Sequence, residues 1–198
     1  MKCFKMESEI MKTIILLITA AVTVQAATVQ LVSAGPANDG AYYVLPYNLS
    51  VDGVHYDAAC YDFYGTEAVG QTWQADVLTL DQAQSSGRFS SVAGSAQKYQ
   101  DVALLMSLYP GANQVELQHL IWSVFAPGAF PYLSSTMVAL RQQADELRVG
   151  FDYSGYRFVE GTGVQPFVIN IVPEPSTGWI FLGLGLVLYS RADCGKDE

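Results

Sequence analysis

Among the 198 residues of this chain, Cys60 is the side chain best equipped for covalent chemistry. The other two cysteines are Cys3 and Cys194, each beyond an apolar segment near one end, so Cys60 has no partner for an intramolecular disulfide in the region between. A cysteine left alone in this way points to a reactive thiol or an intermolecular bridge. It is otherwise a small buried hydrophobe, since free cysteine is among the most buried residue types. The second residue of interest is Gln118. At about 100° per residue, Val115, Leu117, Leu120, Ile121, Trp122, Val124 and Phe125 fill one broad sector of a helix, while Glu116, His119 and Ser123 occupy the other. Gln118 falls inside the apolar sector, between Phe125 and Trp122. A buried glutamine must find partners for its amide or lose stability, and a hydrogen bond to neighbouring backbone is the simplest such partner.

Other chemistry is thinly represented. His55 and His119 are the only histidines, and with one cysteine they make no zinc set. Asp52, Asp57 and Asp62 recur every five residues, unlike the one-three-five spacing of a calcium loop. No metal or cofactor is therefore expected, and no Gly-x-Ser-x-Gly, P-loop or dinucleotide fingerprint is present. Asn48-Leu49-Ser50 matches a glycosylation sequon. Lys and Arg total 10 against 19 Asp and Glu, for a net charge of -9, which argues against a nucleic-acid partner and an acidic lipid surface.

The elements that must position Cys60 and Gln118 follow from residue patterning. Residues 28–33 and 42–51 are rich in β-branched and aromatic side chains, and Asp52-Gly53 separates the second run from a third at 54–63. That pattern predicts a hairpin with Cys60 on its second strand or just after it. Residues 72–78 alternate and predict another strand. After a Ser/Gly-rich loop at 85–95 the period becomes helical, with Tyr99, Val102, Met106 and Tyr109 on one face and Pro110-Gly111 as the stop. Asn113 caps the next helix, 114–125, which Pro127-Gly128 closes. A third helix, 135–148, places Met137, Leu140, Ala144 and Leu147 on one stripe. Strands at about 149–159 and 164–172 flank Gly161-Thr162-Gly163. The order strands, helices, strands predicts an α+β fold: antiparallel sheet, sandwich or barrel-like, with an insertion of about three helices.

The two ends read as addresses. Met11-Lys12, the apolar run 13–24 and Gln25-Ala26-Ala27 form a secretory signal peptide, with Ala26 or Ala27 the last residue removed. Glu7 and Glu9 suit a signal peptide poorly, so translation is expected to start at Met11. At the other end, Val172-Pro173-Glu174-Pro175-Ser176-Thr177 leads into a glycine-containing apolar segment, 178–189, and Arg191. This end resembles the PEP-CTERM sorting signal of bacterial exported proteins. The resemblance implies a transient stay in the inner membrane, processing by an exosortase-type enzyme, and a final place at the cell surface or in the extracellular matrix. The expected organisation is therefore a signal peptide to residue 26, a mature domain 27–171 and a sorting signal 172–198. The mature domain holds five basic and thirteen acidic residues, so the acidity belongs to it.

Ala59-Cys60-Tyr61-Asp62, taken with Leu117-Gln118-His119-Leu120-Ile121-Trp122, looks like the paired signatures of the thioester domains of bacterial surface adhesins. Tyr43-Val44-Leu45-Pro46-Tyr47 and Ile121-Trp122-Ser123-Val124-Phe125 add a likeness to PEP-CTERM proteins sharing that arrangement. The resemblance implies a bond from Cys60 Sγ to the side-chain carbonyl carbon of Gln118. Tyr61, Trp122 and Phe125 would keep water off it, with Asp62 orienting the loop and His119 a candidate base. A surface amine or hydroxyl would open the bond, giving a single-use covalent anchor and not a turnover enzyme. The other expectation is a noncovalent structural component of the extracellular polysaccharide matrix, in which Cys60 and Gln118 are core residues.

Overall fold

A computed structural model of the chain describes residues 26–38, 42–109 and 111–171. The expected signal peptide, apart from Ala26, and the whole sorting motif lie outside these residues. The strands are β1 Ala27–Ser33, β2 Ala37–Asn38, β3 Tyr42–Tyr43, β4 Tyr47–Val51, β5 Val54–Cys60, β6 Thr72–Leu78, β7 Tyr156–Glu160 and β8 Phe167–Asn170. Between β6 and β7 come four helices: α1 Leu80–Ser86, α2 Ser95–Ser107, α3 Gln114–Phe125 and α4 Ser135–Leu147. Six strands close an antiparallel barrel in the order β1-β4-β5-β8-β7-β6, while β2 and β3 pair as a separate small flap. The fold is thus α+β with a barrel and a helical insertion.

Local chemistry accounts for most element boundaries. Asp52 and Gly53 both take positive φ, 48° and 85°, the two-residue turn that suits the twist of a hairpin; the Asp52 carboxylate then accepts the Thr28 N–H at 2.8 Å. Asn113 caps α3 by accepting the Glu116 N–H, and Ser134 caps α4 by accepting that of Met137. The fourth helix, α1, is unexpected: it fills the stretch between the strand expected to end at 78 and the loop expected from 85, and takes in the first two residues of that loop. A capping box between Thr79 and Gln82 starts it. The run expected as one strand over 42–51 divides into β3 and β4, with Pro46, which has no N–H for a ladder, in the gap. The strands near the C-terminal end are shorter than expected, because 149–155 and 161–166 are turns and loop.

Register decides which side chains face which layer. Residues opposite one another in a ladder share a face, and the pairs Cys60↔Phe167 and Val159↔Phe167 set these three on the barrel's inner side, with Ala58 and Ile169 one step further in. The alternate set, Ala59, Val168, Phe158 and Leu78, lies on the outer side. All of these except Leu78 are wholly buried, because the helical insertion covers that side. Cys60 and Tyr61 therefore leave the end of β5 in opposite directions. No helix among the described residues is long and apolar enough to cross a membrane.

Phe158 carries this outer packing, with its ring 5.8 Å from that of Tyr61 and 5.0 Å from that of Tyr99. Phe158→Ala is expected to cost about 3–5 kcal/mol, read as a fall in the urea midpoint at unchanged slope. Val54→Ala, at a side chain 54% exposed, should stay within about 0.5 kcal/mol.

Candidate functional site

Cys60 is the last residue of β5, at the mouth where strand pairing stops. Its backbone carbonyl has left the ladder and must find a donor inside a dry interior. Gln118 supplies one: its Nε2 donates to the Cys60 carbonyl at 2.6 Å. Both residues are completely buried. The wheel reading of α3 holds here, since the helix turns Gln118 inward among Leu117, Ile121 and Trp122. The other half of the amide is unmatched, because Gln118 Oε1 is buried without a hydrogen-bond partner. An acceptor left so costs about 1–3 kcal/mol.

The Cys60 thiol donates to the Asp62 carbonyl at 3.3 Å. Burial pushes this thiol up to about 12, opposed in part by the Trp122 side chain and the Asp62 backbone, so it stays protonated at neutral pH. The Asp62 carbonyl is shared, for Gln165 Nε2 donates to it at 3.1 Å and to the Gly65 carbonyl at 2.8 Å. Gly65 passes so close to Gln165 that a Cβ there would sit 2.4 Å from its Cγ. The Asp62 carboxylate accepts the Tyr64 N–H at 3.0 Å and pairs with Arg88 at 3.1 Å.

The aromatic residues divide into two groups. Around the mouth, the Phe63 ring stands 5.1 Å from Tyr42, 5.4 Å from Trp122 and 5.1 Å from Phe130. His119 stacks beside Trp122, centroids 5.8 Å apart, and packs on Phe130. On the outer side of the barrel, Tyr61 and Phe125 pair with Tyr99 and with each other. The Tyr61 and Tyr99 hydroxyls both donate to Glu160 Oε1, at 2.5 and 2.9 Å. Of the three rings expected to cover Cys60 and Gln118, Trp122 is at the mouth, and Tyr61 and Phe125 belong to the other cluster.

Glu67 and Gln165, which sequence reasoning did not single out, help to complete the mouth. A cavity of about 140 Å³ opens there, lined by Tyr42 and Tyr43 of the flap, by Tyr47, Phe63 and Trp122, and by Glu67 with its neighbours Gly65, Thr66 and Gln165. The Tyr47 hydroxyl donates to the Tyr43 carbonyl at 2.5 Å, tying flap to barrel. Glu67 Oε1 accepts the Gln165 N–H at 2.5 Å, whereas Oε2 is buried without a hydrogen-bond partner. The Trp122 indole N–H makes no well-formed hydrogen bond and lies toward the Cys60 sulfur. Burial raises the Glu67 carboxyl to about 7 against the opposing pull of Arg88. Among the described residues no cluster of His, Cys, Asp and Glu has the makings of a metal site.

No family model, curated protein or solved structure matches the chain.

The raised carboxyl has a signed consequence for stability. Between its ordinary 4.5 and about 7, native Glu67 binds more proton than the unfolded chain does, so this group's contribution falls as pH rises through that window. Glu67→Gln should therefore gain on wild type from pH 5 to pH 8 when urea midpoints are compared. A difference that does not change with pH would contradict the burial assigned to this side chain.

Proposed function

We infer that the protein is an exported, surface- or matrix-associated anchor that attaches covalently to a target nucleophile through a thioester between Cys60 Sγ and Gln118. The observation that carries this reading is the Gln118 amide, held 2.6 Å from the Cys60 carbonyl in a place from which water is shut out. In the proposed step Sγ bonds to Gln118 Cδ, the Cδ–Nε2 bond breaks, and the thiol proton leaves with the nitrogen as ammonia. No base, metal or cofactor has to be supplied for that balance.

Burial serves the product as well as its formation. A thioester is an acylating agent, and the dry mouth keeps hydrolysis slow until a nucleophile arrives. When one does, sulfur departs with the bonding pair, and the Trp122 side chain, which opposes the rise of the Cys60 thiol, would stabilise that charge. Each molecule reacts once, so the chain is an anchor and not an enzyme. The signal peptide and sorting motif support export, passage through the inner membrane and exosortase-type processing, with extracellular polysaccharide or a surface amine or hydroxyl as the target.

A noncovalent matrix component is the second reading, and one observation favours it. The hydrogen bonds of Gln118 to the Cys60 carbonyl and of Cys60 to the Asp62 carbonyl are what an ordinary core would make. Intact mass of the purified protein separates the two. Wild type should be lighter than its sequence by one ammonia, Gln118→Ala and Cys60→Ala should carry no deficit, and methylamine should replace the deficit by an adduct on Gln118. A full mass, with a thiol that alkylates only on unfolding, would leave the noncovalent reading standing.

A further inference from the structure

The cavity at the mouth brings together one carboxylate, with an unpaired oxygen, and several aromatic rings. Glu67 offers Oε2, a buried acceptor with no hydrogen-bond partner. Tyr42, Tyr43, Tyr47 and Phe63 complete the lining. An anionic oxygen among π faces attracts an organic cation, because ring quadrupole and carboxylate act in the same direction. The volume, about 140 Å³, suits a short linear group. Cys60 and Gln118 lie behind the lining and are linked to it: Trp122 and Glu67 both act on the thiol, and the Asp62 carbonyl that accepts it is bonded by Gln165, whose N–H holds Glu67.

We propose that this cavity binds a primary alkylammonium group, the end of a lysine-like side chain, with Glu67 as the acceptor of its proton before the amine attacks the Gln118 carbonyl. The covalent step rests on the thioester reading; the binding step does not. Glu67 takes one proton, the amine nitrogen bonds to Gln118 Cδ, and the Cδ–Sγ bond breaks. The second nitrogen proton passes to sulfur, leaving a secondary amide on Gln118 and a free Cys60 thiol.

The electrostatic setting matches that role. Tyr47 faces Glu67 from β4 and Cys60 from the end of β5, both uncharged at neutral pH. Arg88 and Asp62, themselves paired, act on it from the loops with opposite signs, and Tyr42 and Tyr43 line the flap side. A carboxyl near 7 is half-ionised at neutral pH, so it can both attract an ammonium and take its proton.

Two measurements on the full chain test the proposal. The first follows n-butylamine adduct formation by mass as a function of pH. Wild type should level off above about pH 7, whereas Glu67→Gln, which keeps an acceptor for the Gln165 N–H, should retain the ammonia deficit but react about a hundredfold more slowly at pH 7. Its rate should climb steadily with pH as free amine accumulates, and n-butanol should react far more slowly than the amine with wild type. The second titrates n-butylammonium chloride into Cys60→Ala, which cannot form a thioester, and follows aromatic NMR shifts. Saturable binding weakened at least fivefold by Glu67→Gln is expected. Loss of the deficit in Glu67→Gln, equal adduct rates in the two proteins, or absence of saturable binding would each overturn the assignment. If wild type itself shows no deficit, the thioester reading fails, and the titration alone then decides whether the cavity is an ammonium site.

Discussion

The constraint on which the mouth of this barrel depends is the place where β5 ends. At Cys60 the ladder stops but the surroundings stay dry, so the next backbone groups must be bonded by something other than a strand or water. The Cys60 carbonyl is met by Gln118, the Tyr61 N–H by the Pro166 carbonyl, and the Asp62 carbonyl by both the Cys60 thiol and Gln165. Apart from the Cys60 thiol, each partner comes from far along the chain. The inward glutamine of α3 and the loop before β8 are thus fixed by the same strand end.

Alternation along β5 then separates two kinds of chemistry. Cys60 faces the inner side and the mouth, and Tyr61 faces the helices. On the outer side the polar groups are nearly saturated, since Glu160 accepts two tyrosine hydroxyls and the Arg88 N–H. At the mouth two polar atoms have no hydrogen-bond partner: Gln118 Oε1 and Glu67 Oε2. A saturated network rigidifies its surroundings, whereas a partly satisfied one is costly unless something further engages it. Arg88 joins the two sides, because its main chain bonds Glu160 while its side chain pairs with Asp62.

Much of this was legible in the sequence, and the physical reasons for the rest are specific. Gln118 stood out because helical periodicity is local, and eleven residues are enough to place a polar side chain on an apolar face. The same locality made the Asp52-Gly53 turn and the Asn113 cap readable. α1 was hidden because its seven residues end in Ser85-Ser86, which read as loop, although Thr79 and Gln82 carried the signature of a capping box. Barrel closure was open in the sequence, where sandwich and barrel share one alternation; what decides it is pairing such as Cys60↔Phe167 across more than a hundred residues. Glu67 had no signal at all. It lies in an irregular loop, and its setting is made by Gln165, 98 positions away. The division of the aromatic rings was hidden for a related reason: composition shows that cover exists, and only register shows that Tyr61 and Trp122 serve different sides.

The proposed bond and the hydrogen bond now seen at Cys60 exclude one another, since forming the thioester removes the nitrogen that donates to the Cys60 carbonyl. That loss strands a buried acceptor, at about 1–3 kcal/mol. Against it stands the restriction of the unfolded chain. A link between residues 58 apart, treated like a disulfide of that span, lowers the entropy of the unfolded ensemble by about 4 kcal/mol. The larger effect would favour a linked protein, so the exchange of an amide donor for a covalent tie would not by itself destabilise the barrel. Opening by a nucleophile reverses only part of it. The tie would be lost, yet attack by an amine would leave on Gln118 an amide whose N–H can again reach the Cys60 carbonyl, whereas a hydroxyl would leave an ester without that donor.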